Sequence, residues 1–304
     1  MRGRALIGAV AVLIVGAAGL GLARHHDAVV FDRDVTYVTR EDGAGSVELK
    51  FNIARPAGEE RNRPCIVAIH GGAWRAGDRS QLDALVQGLA KEGFVAATVS
   101  YRFCPQYRFP AQVEDCAAAV RFLRKHADEY GIDPDRIGAI GFSAGAHLSM
   151  MLGVLDCGDG MGICGEDPRD TGKVQAVVSF FGPTMLGASD IPVQSKGLVA
   201  DFVGPEPEGA AERWKAASPV TYVTPGDAPI LMFQGSKDPL VPVTQPSHMI
   251  EAMTKVGVAG RAEIIAGAQH GWGGADLERT LKESKEFFEA NLKGPPAPRA
   301  KSKK

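Results

Sequence analysis

The sequence predicts an α/β domain in which helices flank a mainly parallel, twisted sheet, with one small cap-like insertion. Three observations predict it. Apolar runs of strand length alternate with segments of helical periodicity, which implies crossover connections between parallel strands. The chain has 304 residues, 45% of them hydrophobic, enough for one sizeable undivided core. The alternation breaks once, at residues 183–226, where Pro183, Pro192, Pro205, Pro207, Pro219 and Pro225 punctuate short apolar pieces. An excursion of that length over a sheet covers a site and shapes a pocket.

The strand-length runs fall at residues 46–53, 65–69, 94–100, 136–140, 174–181, 230–233 and 262–266. Helical periodicity falls at 81–92, 111–129, 143–155, 244–256 and 276–292. The second of these helices is the clearest. Val113, Cys116, Ala117, Val120 and Leu123 lie on one side, and Pro110 stands just before the start. Together these elements define a single domain over 35–293. The tail, 294–304, is Pro-rich and basic and has nothing able to pack, so disorder is expected there.

The N-terminus reads as a targeting segment. Met1-Arg2-Gly3-Arg4 is basic, and residues 5–23 then carry no charge, with small residues at Gly21 and Ala23. That pattern over 1–23 fits a cleaved secretory signal or an anchor attaching the protein to a membrane. Either implies export, to a periplasmic, extracellular or membrane-anchored location. A formal net charge of -2 argues against a nucleic-acid surface, which needs a clustered positive field.

Export permits disulfides. Cys157 and Cys164 flank a Gly-rich segment that a disulfide would close; Cys104 and Cys116 bracket a second segment, and Cys65 reads as a small core residue. Five cysteines leave at least one thiol free. None has metal-ligand spacing with His, so neither a metal nor a cofactor is expected.

Gly141-Phe142-Ser143-Ala144-Gly145 joins a buried strand to a helix. Glycines two positions either side of a serine permit the sharp, strained turn that pushes its hydroxyl out of the fold. A serine hydroxyl needs a base. His270 follows the last strand and precedes the last helix, which puts it on the carboxyl edge of the sheet. The other histidines are placed less well: His25 and His26 adjoin the export segment, and His126, His147 and His248 fall on helices. Asp238, on the loop after the strand at 230–233, opens on the same edge and can hold the tautomer of His270. The chain order Ser143, Asp238, His270 is that of an α/β-hydrolase. His70-Gly71-Gly72-Ala73-Trp74 follows another strand. Small residues there let backbone N–H groups approach a reacting carbonyl, which assigns an oxyanion hole to Gly72, Ala73 and Ala144, with His70 and Gly71 in support. No GxGxxG or GxxxxGK[ST] phosphate loop accompanies them.

These segments, with Ser100-Tyr101-Arg102, the run from Phe109 to Asp115 and the run from Gly235 to Pro242, resemble the esterase/lipase branch of the α/β-hydrolases with a His-Gly-Gly oxyanion motif. The hormone-sensitive-lipase-like and the feruloyl and acetyl-xylan esterase-like groups are the most similar. Ala73 and Trp74 depart from the third glycine common among them. The resemblance implies a serine hydrolase of short-chain or carbohydrate-linked acyl esters, acting through an acyl-enzyme, with Asp115 structural. Two alternatives share the fold: a serine peptidase or amidase, and a non-catalytic binding homologue.

Overall fold

The computed structural model describes residues 28–41, 45–167, 169–204 and 210–293; the expected export segment at 1–23 and tail at 294–304 lie outside them. Eight strands form one sheet: β1 (Val29–Glu41), β2 (Ser46–Pro56), β3 (Arg63–Ile69), β4 (Val95–Val99), β5 (Ile132–Phe142), β6 (Ala176–Phe180), β7 (Ile230–Gly235) and β8 (Gly260–Ile265). The helices are α1 (Asp83–Lys91), α2 (Ala111–Lys125), α3 (Ala127–Tyr130), α4 (Ala144–Val154), α5 (Val193–Val203), α6 (Ala210–Ala216), α7 (Gln245–Val256) and α8 (Gly274–Leu292). Strand order is β1-β2-β4-β3-β5-β6-β7-β8. β1 and β2 pair antiparallel, as do β2 and β4, and every later pairing is parallel.

The period of two along each central strand splits the core into two layers. Cys65, Val67 and Ile69 of β3 face one layer with residues of α2, α4 and α7, whereas Ile66 and Ala68 face the other with residues of α1 and α8. Gly138 of β5 lets α8 close in: a Cβ there would stand 2.9 Å from both Phe288 and Leu292. Phe288 is fully buried as a result, worth about 2–3 kcal/mol of transfer free energy.

Two expectations need correction. The domain does not start at residue 35, which falls inside β1. β1 is a half-exposed edge strand with Asp32, Arg33 and Asp34 in its middle and register shifts around them, so it shows no apolar run. The helix expected over 111–129 is two: His126 ends α2, and α3 is a single turn closed by Gly131 at φ 71°. The cap-like insertion at 183–226 carries α5, α6 and a 3-10 turn at Pro219–Tyr222. Cys157 and Cys164 form a disulfide, while Cys65, Cys104 and Cys116 are buried free thiols. Among the described residues, no helix is long and apolar enough to cross a membrane.

Candidate active site

β5 ends at Phe142, and Ser143 is the N-cap of α4 with φ 54° and ψ −118°. A non-glycine residue in that region is strained, and here the main chain imposes it. Ser143 N–H donates to the Phe180 carbonyl at 2.8 Å, and its own carbonyl accepts from His147 N–H at 3.0 Å. The turn is tight enough that a Cβ on Gly141 would collide with the Gly145 carbonyl, and one on Gly145 with the Ile69 carbonyl.

The structure brings Ser143, Asp238 and His270 into one hydrogen-bonded line. His270 Nδ1 lies 2.7 Å from Asp238 Oδ2, and His270 Nε2 lies 2.8 Å from Ser143 Oγ. An ionised carboxylate only accepts, so the ring carries its proton on Nδ1 and offers Nε2 as acceptor to the Ser143 hydroxyl. The Asp238 side chain is fully buried. Its Oδ1 accepts from the N–H groups of Leu240 and Val241 at 2.8 and 3.0 Å, and its Oδ2 also accepts from Gln234 Nε2 at 2.9 Å. These bonds satisfy the buried charge and fix its orientation. The Phe181 ring lies 4.7 Å from the imidazole of His270 and walls one side of it.

Gly72, Ala73 and Ala144 line the same cavity as Ser143 and His270. Gly72, Ala73 and Trp74 all have positive φ, at 119°, 53° and 58°. This turn points the Gly72 carbonyl away into bonds from Arg75 and Ala76 at 3.0 and 3.1 Å. Among the described residues, the N–H groups of Gly72 and Ala73 meet no protein acceptor. Ala144, first in its helix, has no intrahelical acceptor for its N–H either. Gly71 packs on the elbow, where a Cβ would stand 2.9 Å from the Phe142 carbonyl. His70 lies behind the loop, stacked on Tyr101 at 4.6 Å with Nδ1 2.7 Å from the Gly71 carbonyl. Burial lowers its pKa, which keeps the ring neutral. Asp115, fully buried, pairs with Arg40 and Arg102 away from the cavity.

The cavity has a volume of about 490 Å³. Part of the lining comes from the segment after His70, including Gln81 and Arg75, which pairs with Asp201 of α5 at 3.0 Å; an aliphatic part comes from the insertion, with Leu186, Ile191, Leu198 and Val199. Among the described residues, no group of three or more His, Cys, Asp or Glu side chains is placed to hold a metal ion. Sequence reasoning missed Gln234, Phe181 and the pair Trp74–His147. Only Gln234 left a trace, as a polar residue ending an apolar strand four positions before Asp238.

Residues 51–253 match the BD-FAE family model. A probable carboxylic ester hydrolase, LipM, of Mycobacterium tuberculosis is 34% identical over 198 residues, covering 64% of this chain and 45% of that protein. The chain spans about half the length of the curated relatives it matches. Among solved structures, a truncated carbohydrate esterase from gut microbiota superposes with a TM-score of 0.73 at 25% identity, covering 90% of this chain and 99% of that one. Esterase Est2 of Thermogutta terrifontis, phosphonylated by sarin, gives 0.73 at 27% identity, with 90% and 98% covered. The same esterase with butyrate bound gives 0.68 at 30%, with 84% and 92% covered.

Proposed function

The chain belongs to the BD-FAE family of α/β-hydrolase esterases, and from that membership we propose that it hydrolyses short-chain or carbohydrate-linked acyl esters through a serine-bound acyl-enzyme. The observation that carries this reading is the line Ser143–His270–Asp238 opening into a largely aliphatic cavity. Ser143 Oγ attacks the ester carbonyl as His270 Nε2 takes its proton. Asp238 holds the ring tautomer and stabilises the imidazolium. The N–H groups of Gly72, Ala73 and Ala144 receive the negative charge that develops on the carbonyl oxygen. His270 then returns the proton to the leaving alcohol. A water molecule, deprotonated by the same ring, releases the acyl group.

Supporting a short acyl group is the butyrate bound to Est2; the cavity, about 490 Å³, has room for such an acyl group together with its alcohol. A carbohydrate on the alcohol side draws support from the gut carbohydrate esterase and from the polar groups Arg75 and Gln81 in the cavity lining. Action outside the cytoplasm fits the uncharged run at 5–23 and the Cys157–Cys164 disulfide.

The test is hydrolysis of p-nitrophenyl acetate, butyrate and octanoate, acetylated xylan and a p-nitroanilide by wild type and Ser143→Ala. Ester turnover that falls at least about 10³-fold in Ser143→Ala is expected. Equal turnover by the two proteins, or faster cleavage of the anilide than of any ester, overturns the reading.

A further inference from the structure

Ala73 and Trp74 occupy the left-handed region in succession, although neither is glycine, so something must hold the loop there. The contacts around Trp74 show what does. Its indole ring is buried and stacks on Phe202 of α5 at 4.2 Å, with the planes 8° apart. Indole Nε1–H donates to His147 Nδ1 at 3.2 Å. His147 Nε2 lies 2.7 Å from the carbonyl of Ala217, in the insertion. A carbonyl only accepts and an indole only donates, so the ring carries its proton on Nε2 and accepts at Nδ1. His147 is one helical turn beyond Ser143 and donates its backbone N–H to the Ser143 carbonyl.

We propose that His147 is a positioning residue for the oxyanion loop, tying the Trp74 indole, and with it the Ala73 N–H, to the helix that carries Ser143. The inference rests on the ester-hydrolase reading above. Through this one neutral ring the loop, the nucleophile helix and the insertion share a common reference. Complete burial drives the His147 pKa down to about 4, so the ring keeps one tautomer near neutral pH. The backbone gives a second hold, since Cys104 N–H donates to the Trp74 carbonyl at 2.9 Å. Loss of the side-chain link therefore displaces the loop without releasing it.

The experiment is a double-mutant cycle with Trp74→Phe, which keeps the stack on Phe202 but has no donor, and His147→Phe, which has no acceptor. Each single variant is expected to lower kcat about 10-fold with KM changed less than about two-fold, a smaller loss than deleting an oxyanion donor outright. The double variant is expected to be no worse than the singles. Affinity for an alkyl trifluoromethyl ketone, whose hemiketal with a serine places an oxyanion in the same hole, should fall by the factor seen in kcat. His147→Asn, whose Oδ1 replaces Nδ1 as acceptor, should recover most of the loss. In ¹H–¹⁵N spectra the Trp74 indole proton should move on His147→Phe and stay near its place in His147→Asn. Losses that multiply in the double variant, losses confined to KM, or an unmoved indole resonance overturn the inference. A shifted indole resonance in a protein with no Ser143-dependent turnover would instead strike down the ester-hydrolase reading.

Discussion

Around Ser143 the main chain itself sets the geometry, whereas across the cavity side-chain hydrogen bonds hold the insertion. At the elbow, glycines at 141 and 145 let carbonyls of the turn and of β3 approach to distances no Cβ would allow. The insertion is held instead from α7, by buried Gln245. Its Oε1 accepts from Thr184 and Met185 N–H at 2.7 and 2.8 Å, and its backbone carbonyl accepts from Thr184 Oγ1 at 2.6 Å. Ser195 Oγ similarly donates to the Leu240 carbonyl at 2.8 Å. A frame made of main-chain contacts tolerates almost no change, while one made of side-chain bonds can be retuned a residue at a time. Ser143 sits on the first kind of frame and the aliphatic lining on the second.

The largest effect that would break this contrast is at Gly145. In Gly145→Ala the new methyl would overlap the Ile69 carbonyl and stand 2.5 Å from the His70 carbonyl. Neither backbone can give way without moving both β3 and the loop that follows it. We expect a destabilisation of at least about 3 kcal/mol and an ester turnover reduced more than about 100-fold, read by thermal unfolding and by kcat/KM. A Gly145→Ala protein that melts with wild type and turns over normally would show that main-chain contact does not define the elbow.

The same contrast explains what the sequence made legible. Ser143, Asp238 and His270 each stand in a loop just past a strand, and those loops carry Gly or Pro, so local pattern and chain order pick them out. Legibility ends where function depends on contacts between distant residues. Trp74 and His147 are 73 positions apart and meet only because β3 and β5 are neighbours in the sheet. Gln245 reads as one more polar residue at a helix start, although it is fully buried. β1 was hidden for another reason: half-exposed on the sheet edge, it needs no apolar run.

Gln245→Leu sharpens the comparison with an intermediate effect. The substitution keeps the bulk but leaves the N–H groups of buried Thr184 and half-buried Met185 without their acceptor. At about 1–3 kcal/mol for each unsatisfied group, a loss of about 2–6 kcal/mol is expected by denaturant unfolding. Because Leu186 follows these residues directly in the aliphatic wall, KM should rise more than kcat falls. If kcat collapsed as in Gly145→Ala while KM held, the two regions would be one mechanical unit and the division between them would fail.

The smallest effect concerns the aliphatic wall itself. Leu198 of α5 lines the cavity and is only partly buried, so a larger ring can be added there without forcing the packed layers apart. Leu198→Trp fills part of the volume that a longer acyl chain would need and leaves the elbow untouched. One methylene in an apolar pocket is worth about 1–3 kcal/mol in discrimination. The octanoate-to-acetate ratio of kcat/KM is therefore expected to fall about 10-fold, with acetate itself within about three-fold of wild type. An unchanged ratio would place the acyl chain elsewhere, against the wall of Arg75 and Gln81. The insertion would then select the alcohol, and the polar wall would have to admit the acyl group despite the unfavourable desolvation of its charged and amide side chains.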